Sequence, residues 1–170
     1  MARRMASSAE KHQGSPMALG TANGKLLLFG EHAAVYGHPA LGMTLDLETS
    51  VEFTGGPGPI IVEGVAPQHI IKVEQLVRVL GASLGLAPGS VDGCYRIHSS
   101  IPPGGGLGSS AALSAATAGA IAAEHSLRPS IHALWETANA GERLFHGTPS
   151  GIDTGLAIRT GLTSFITGSH

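Results

Sequence analysis

Residues 102–113 read PPGGGLGSSAAL: four glycines within five positions, then a serine pair leading straight into an alanine-rich run. A chain with this segment must turn without side chains to fill the turn, and must begin a helix immediately behind it. Backbone N–H groups in such a loop can crowd around an anion while the helix turns its positive dipole end toward it, so a phosphate is the natural occupant. Tight strand-to-helix packing is the other use of such a loop. The segment is not a Walker loop, which ends in Gly-Lys-Ser/Thr, because no lysine lies between Arg96 and His170. Nor is it a dinucleotide fingerprint, since the acidic residue about twenty positions on would be Glu124, inside or at the end of the same helix.

The chain has 170 residues, the length of one ordinary domain, and 42% of them are hydrophobic against 13% charged. That balance fits a globular core. Ten basic and twelve acidic side chains leave a net charge of −2. No broad positive field exists to attract nucleic acid or anionic lipid, so neither is expected as a partner and any phosphate must be held locally. The single cysteine, Cys94, excludes an internal disulfide framework and suits a reducing cytoplasm. Nine histidines occur without HExxH or comparable ligand spacing. Residues 1–20 read as a disordered polar leader rather than a secretory signal. The apolar run over 111–123 is too short and too rich in Ser and Thr to cross a bilayer.

Along the chain, residues 25–29 (KLLLF) read as a buried strand, interrupted at 30–32 and resuming over 33–36. Residues 40–47 and 50–54 supply two further strands, and GGPGP at 55–59 a loop. From Pro67 the period becomes helical, with Ile70, Val73, Leu76, Val77 and Leu80 on one face and Gly81 or Gly85 able to end the segment. Residues 95–99 alternate as a strand that feeds the glycine loop. A helix over 109–125 follows, and Ser130 caps another reaching about residue 145. The tail from Gly147 returns to turns and short strands.

On the helix after Ser130, residues Ile131, Leu134, Trp135, Ala138 and Phe145 form one stripe, with Glu142 near its centre. An inward carboxylate is costly unless it is paired or bound to a cation. Arg143 and Arg128 are available partners, and a frayed, wetted helix end is a further alternative. A divalent cation is favoured by the phosphate reading of the loop, because magnesium joins phosphate oxygens to one or two protein oxygens; Ser110 could supply the second. Asp153 lies in HGTPSGID, a sharp turn where an aspartate commonly serves only the turn itself. Lys25 opens the first strand and either reaches water or meets a negative partner. His32, beside Glu31, reads on its own as a structural histidine.

Three blocks together resemble the GHMP small-molecule kinases: GKLLLFGEHAAVYGHPAL at 24–41, IPPGGGLGSSAAL at 101–113 and GERLFHGTPSGID at 141–153. The resemblance covers about residues 21–165. Within the family, GEH followed by VYG is most similar to the branch that phosphorylates mevalonate. The spacings agree, seven positions from Lys25 to His32 and eleven from Glu142 to Asp153. Asn23 stands where a proline is usual before the Gly-Lys pair, and Gly105 where alanine or another small residue is common.

The resemblance implies an α+β fold of the ribosomal protein S5 domain 2-like type, a mixed sheet packed against helices. It implies ATP as co-substrate, magnesium as cofactor and mevalonate as acceptor, with phosphomevalonate, galactose or homoserine as alternative acceptors and a non-catalytic half-kinase as the alternative of another class. By position, Asp153 matches the general base and Lys25 the cation that steadies the transferring phosphoryl group. Gly104, Gly105, Gly106, Leu107, Gly108, Ser109 and Ser110 match the phosphate wrap, with Ser99 nearby at the nucleotide. Ser110 and Glu142 match the metal ligands, and Glu31 and His32 the substrate side of the cleft. Residues 21–170 are then expected to be the N-terminal, ATP-binding domain without its C-terminal domain. A homodimer or a separate C-terminal half is the expected protein partner.

Overall fold

The computed structural model describes residues 17–30, 36 and 38–166. Strand β1 (Ala18–Phe29) pairs antiparallel with β2 (Ala40–Gly55), and β2 pairs antiparallel with β4 (Gly93–Ser99). The short β3 (Ile61–Glu63) lies parallel to β4, the two joined through α1 (Ile70–Ser83). The sheet order is β1-β2-β4-β3, and β5 (Leu162–Phe165) runs beside the first residues of β2. Helices α2 (Ser109–Glu124), α3 (Ile131–His146) and α4 (Ile152–Ala157) complete the chain. This is the α+β arrangement expected, a mixed sheet packed against helices.

Period two decides which side of the sheet is buried. Ala18 and Ala22 of β1, Thr49, Val51 and Phe53 of β2, and Tyr95 and Ile97 of β4 turn inward. Val73, Leu76, Val77 and Leu80 of α1 close the core, as their spacing predicts, and the Phe53 and Tyr95 rings stack at 4.2 Å within it. On the outer side Arg96 bridges Glu52 at 3.3 Å and Glu63 at 3.0 Å, exposed pairs worth little individually.

Three expectations are corrected, and of the two glycines offered as the end of α1 the structure selects Gly85. Strand β1 opens at Ala18, so residues 18–20 belong to the sheet and not to the leader; residues 1–16 lie outside the described residues. Apart from Leu19, which is exposed, its first half is built from small or polar residues and carries no buried apolar run. Residues 40–54 form one strand rather than two, because Asp46 and Glu48 point outward and the inward polar residue Thr49 continues the alternation. Gly81 does not end α1; it is buried inside it, where an added Cβ would stand 2.5 Å from Val91. Gly85, at φ +76°, follows the helix instead. The tail contains α4, whose six residues are too few and too glycine-rich to show a helical period. Of the strand expected over 33–36, only Tyr36 is described; it is exposed and outside any strand.

Helix α2 sits on β1 with no side chain between them at the closest point. A Cβ built on Gly20 would lie 2.0 Å from the Ala116 carbonyl oxygen and 2.4 Å from the Ala120 nitrogen. Gly20→Ala must therefore push helix from strand, at a cost of about 1–3 kcal/mol or more. Gly119→Ala is its control, because that Cβ would meet only the Gly20 Cα at 3.4 Å and alanine favours the helix. Thermal unfolding followed by circular dichroism should show the first variant melting several degrees lower and the second unchanged or higher.

Candidate active site

The glycine loop leaves β4 at Ser99 and ends on Gly108, which caps α2 in the left-handed region at φ +76°. Gly104 and Gly106 adopt similar values, +74° and +72°. Gly105 does not, and a Cβ there would meet nothing closer than 3.5 Å, so the alanine common at this position fits the same backbone. No side chain caps α2, which leaves its first N–H groups available to a ligand. The loop is tied to β1 by the Lys25 amide, which donates to the Leu107 carbonyl at 2.9 Å.

A register shift between Asn23 and Lys25 interrupts the alternation of β1 and turns Lys25 inward after Gly24. The lysine stem runs under Gly108, where an added Cβ would lie 2.7 Å from Lys25 Cγ. Its ammonium ends 2.8 Å from Asp153 Oδ1. The lysine side chain is 10% exposed and the aspartate 40%, so a covered cation faces an open carboxylate.

Asp153 sits in the first turn of α4, not in a free turn as expected. Two anchors fix it. Ile152 and Leu156 on either side are buried with Ala40. Trp135 Nε1 donates to the Gly151 carbonyl at 2.8 Å, and its ring lies so close that a Cβ on Gly151 would approach within 2.6 Å. Gly151 is also at φ +80°, so this cap needs glycine twice over.

Glu142 is 1% exposed, as its place on the helix predicts, but the stripe around it differs. Ile131 is 54% exposed, and the buried line runs through Thr137, Ala138 and Gly141. Ile131 opens the helix, where the surface is still within reach. Neither arginine pairs with Glu142. Ser110 Oγ donates to Glu142 Oε1 at 2.7 Å, and His146 Nε2 lies 3.3 Å from both of those atoms. The other oxygen, Oε2, is buried without a hydrogen-bond partner among the described residues. Burial pushes the carboxyl above its ordinary range, and Asp153 adds to the push; the Ser110 hydroxyl, His146 and Lys25 oppose it.

Two cavities are lined by the partners of the Ser110–Glu142 hydrogen bond, one by each. The smaller, about 240 Å³, is lined by Glu142, His146, Ser150, Gly151 and Asp153, among others. The larger, about 590 Å³, takes in Ser99, Ser109 and Ser110 together with Val65, Lys72 and Phe145. Ser99 shares a 2.7 Å hydrogen bond with Thr49 and accepts from the Ile101 amide at 3.3 Å. Of the residues singled out in the sequence, Lys25, Asp153, Ser110 and Glu142 come together, and Ser99 and Ser109 share the larger cavity. Residues 104–108 form an exposed to half-buried rim that lines neither cavity. Glu31 and His32 lie outside the described residues.

Sequence reasoning missed His146, Trp135 and Thr49. His146 was detectable, one helical turn after Glu142 and therefore on the same face. Trp135 read as a core residue, and its ring nitrogen gives no sequence signal.

Because the folded carboxyl of Glu142 is pushed upward, the folded state keeps its proton longer than the unfolded state does. Stability therefore falls as pH rises from the ordinary carboxyl range through the raised value, and the full loss persists above it. Glu142→Gln removes the buried charge and should raise the melting temperature at pH 7–8 by a few degrees, about 2–4 °C per kcal/mol for a domain of this size. The gain should vanish near pH 4. A lower melting temperature at neutral pH would mean that the Ser110 and His146 contacts outweigh the burial.

Residues 70–161 match the family model described as GHMP kinases N terminal domain. The mevalonate kinase of Aeropyrum pernix is 30% identical over 164 residues, a match covering 88% of this chain and 51% of that protein. The solved mevalonate kinase of Methanococcus jannaschii is similar in fold, with a TM-score of 0.77 at 22% identity, covering 92% of this chain and 55% of the other. The L. major mevalonate kinase, crystallised with R-mevalonate, gives a TM-score of 0.72 at 25% identity over 89% of this chain and 48% of that one. The chain spans about half the length of the curated relatives it matches.

Proposed function

The chain belongs to the GHMP kinases, and from that membership we propose that it carries the phosphoryl-transfer site of an enzyme moving the γ-phosphoryl group of ATP to the primary hydroxyl of mevalonate. The observation that carries this reading is the 2.8 Å pair of Lys25 and Asp153, opening on the cavity that Glu142 lines beside the start of α2. A cradle, a cation and an oriented carboxylate are what such a reaction asks of a protein, since its catalysis is mostly positioning and charge stabilisation.

In this reading the acceptor oxygen bonds to the γ-phosphorus as the bond from that phosphorus to the β,γ-bridging oxygen breaks. The hydroxyl proton passes to the Asp153 carboxylate, and ADP leaves. Lys25 holds Asp153 in place and meets the charge on the transferring oxygens. The glycine loop, residues 104–110, wraps the phosphates with backbone N–H groups at the positive end of α2. Ser99 stands at the nucleotide in the larger cavity.

Ser110 and Glu142 fit a magnesium ion. Both donors are hard oxygens, and Glu142 keeps a buried oxygen without a hydrogen-bond partner among the described residues, which a cation would satisfy. Among the described residues no three His, Cys, Asp or Glu side chains could hold a metal together, so the phosphates would have to complete the ligand set. When bound, the ion neutralises charge between the phosphate oxygens. Mevalonate as acceptor is supported by the relatives' names and by the GEH and VYG pattern; Glu31 and His32 are proposed for its side of the cleft.

In a coupled assay, ADP release should be faster with mevalonate than with phosphomevalonate, galactose or homoserine. Preference for any of the other three overturns the acceptor assignment. Asp153→Asn should lower kcat by roughly 10²–10⁴ with a smaller effect on ATP affinity. An unchanged kcat removes Asp153 from the proton-accepting role.

A further inference from the structure

The charge around the larger cavity does not balance for a nucleotide. A triphosphate with one divalent ion remains negative, and Glu142 adds a carboxylate next to it. The glycine loop contains no lysine, and the whole chain has only three: Lys11, Lys25 and Lys72. Lys25 is held by Asp153 and, in the proposed reaction, faces the transferring phosphoryl group alone, which leaves the rest of the phosphate chain without a lysine. The open end of α2 offers a partial charge and not a full one. A further permanent cation on the cavity wall would offset this charge, and the basic side chains in that lining are His69 and Lys72.

Lys72 is in the right place to supply it. It lies in the first turn of α1 and lines the same cavity as Ser99, Ser109 and Ser110. Its ammonium stands 4.8 Å from the centre of the Phe145 ring, which lines that cavity too. Among the described residues it forms no ion pair. A lysine over a half-buried aromatic ring gains only about 1–2 kcal/mol. That contact is weak enough to exchange for a phosphate oxygen, and the flexible four-carbon stem allows the swing.

We propose that Lys72 binds the phosphate chain of the nucleotide in the larger cavity, leaving the Phe145 ring when the nucleotide enters. The assignment rests on the reading of this cavity as the ATP site. It differs from a packing role, in which the lysine only covers Phe145.

Titration calorimetry on the chain with the magnesium complexes of ATP and ADP, with AMP and with adenosine separates the two. Lys72→Gln should weaken ATP and ADP binding about tenfold, weaken AMP less and leave adenosine unchanged. Lys72→Arg should restore most of the loss. Lys72→Met keeps the apolar stem over the ring, and it should behave like Lys72→Gln even where the latter is poorly folded. Equal weakening of adenosine and ATP, or no change for either, overturns the assignment while leaving the kinase reading in place. No ATP binding by the unsubstituted chain overturns both.

Discussion

The approach of α2 to β1 governs the rest of the molecule. At Gly20 and Ala116 the two backbones pack almost directly on each other, and the helix facing the strand is built almost wholly from alanine, serine, threonine and glycine. Such a seam buries little apolar area per residue, and its strength comes from many close dispersion contacts. Its value is in placement. A helix seated this deep brings its first residue level with the bulge of β1, so the Leu107 carbonyl meets the Lys25 amide and Gly108 lies flush on the lysine stem. The loop and the cation are therefore set by one packing decision.

The same physical features explain what the sequence could reveal. The glycine loop, α2 and the Ser130 cap were legible because each is local: a run of glycines, a run of alanines, a serine that accepts from the Ala133 amide. The inward turn of Glu142 was legible from helical period alone. What could not be read depends on partners distant in sequence. Strand β1 begins in small residues whose reason is the α2 backbone, and α4 exists because Trp135 and Gly151 hold its first turn. The 2.8 Å pairing of residues 25 and 153 likewise has no local signal; only the resemblance placed both in one cleft.

Charge is arranged against stability at this cleft. Glu142 is buried with one oxygen unpartnered among the described residues, and Asp153 nearby pushes its carboxyl further from ionisation. Asn139 Oδ1 and Ser114 Oγ, also on α3 and α2, are buried without partners among the described residues. Unsatisfied polar atoms of this kind are few in native proteins and cost about 1–3 kcal/mol each. Their concentration along the α2–α3 contact, where Ser110 meets Glu142, suits a region shaped for a ligand rather than for packing. The apolar residues of α1 and the sheet supply the stability that this polar contact does not.

The lysine–aspartate pair shows how the fold divides labour between two charged groups. Lys25 is almost covered, held by the strand bulge and by Gly108, and has little freedom to leave. Asp153 is more open and lines the cavity, and the ion pair engages its Oδ1, so the carboxylate is held through that oxygen. Were the exposures reversed, a mobile lysine would face a sequestered carboxylate, and no acceptor hydroxyl could reach it. A fixed cation with an accessible anion is the arrangement in which a hydroxyl can be oriented before its proton is lost. In the proposed reaction such an arrangement serves positioning, which is the larger part of phosphoryl transfer.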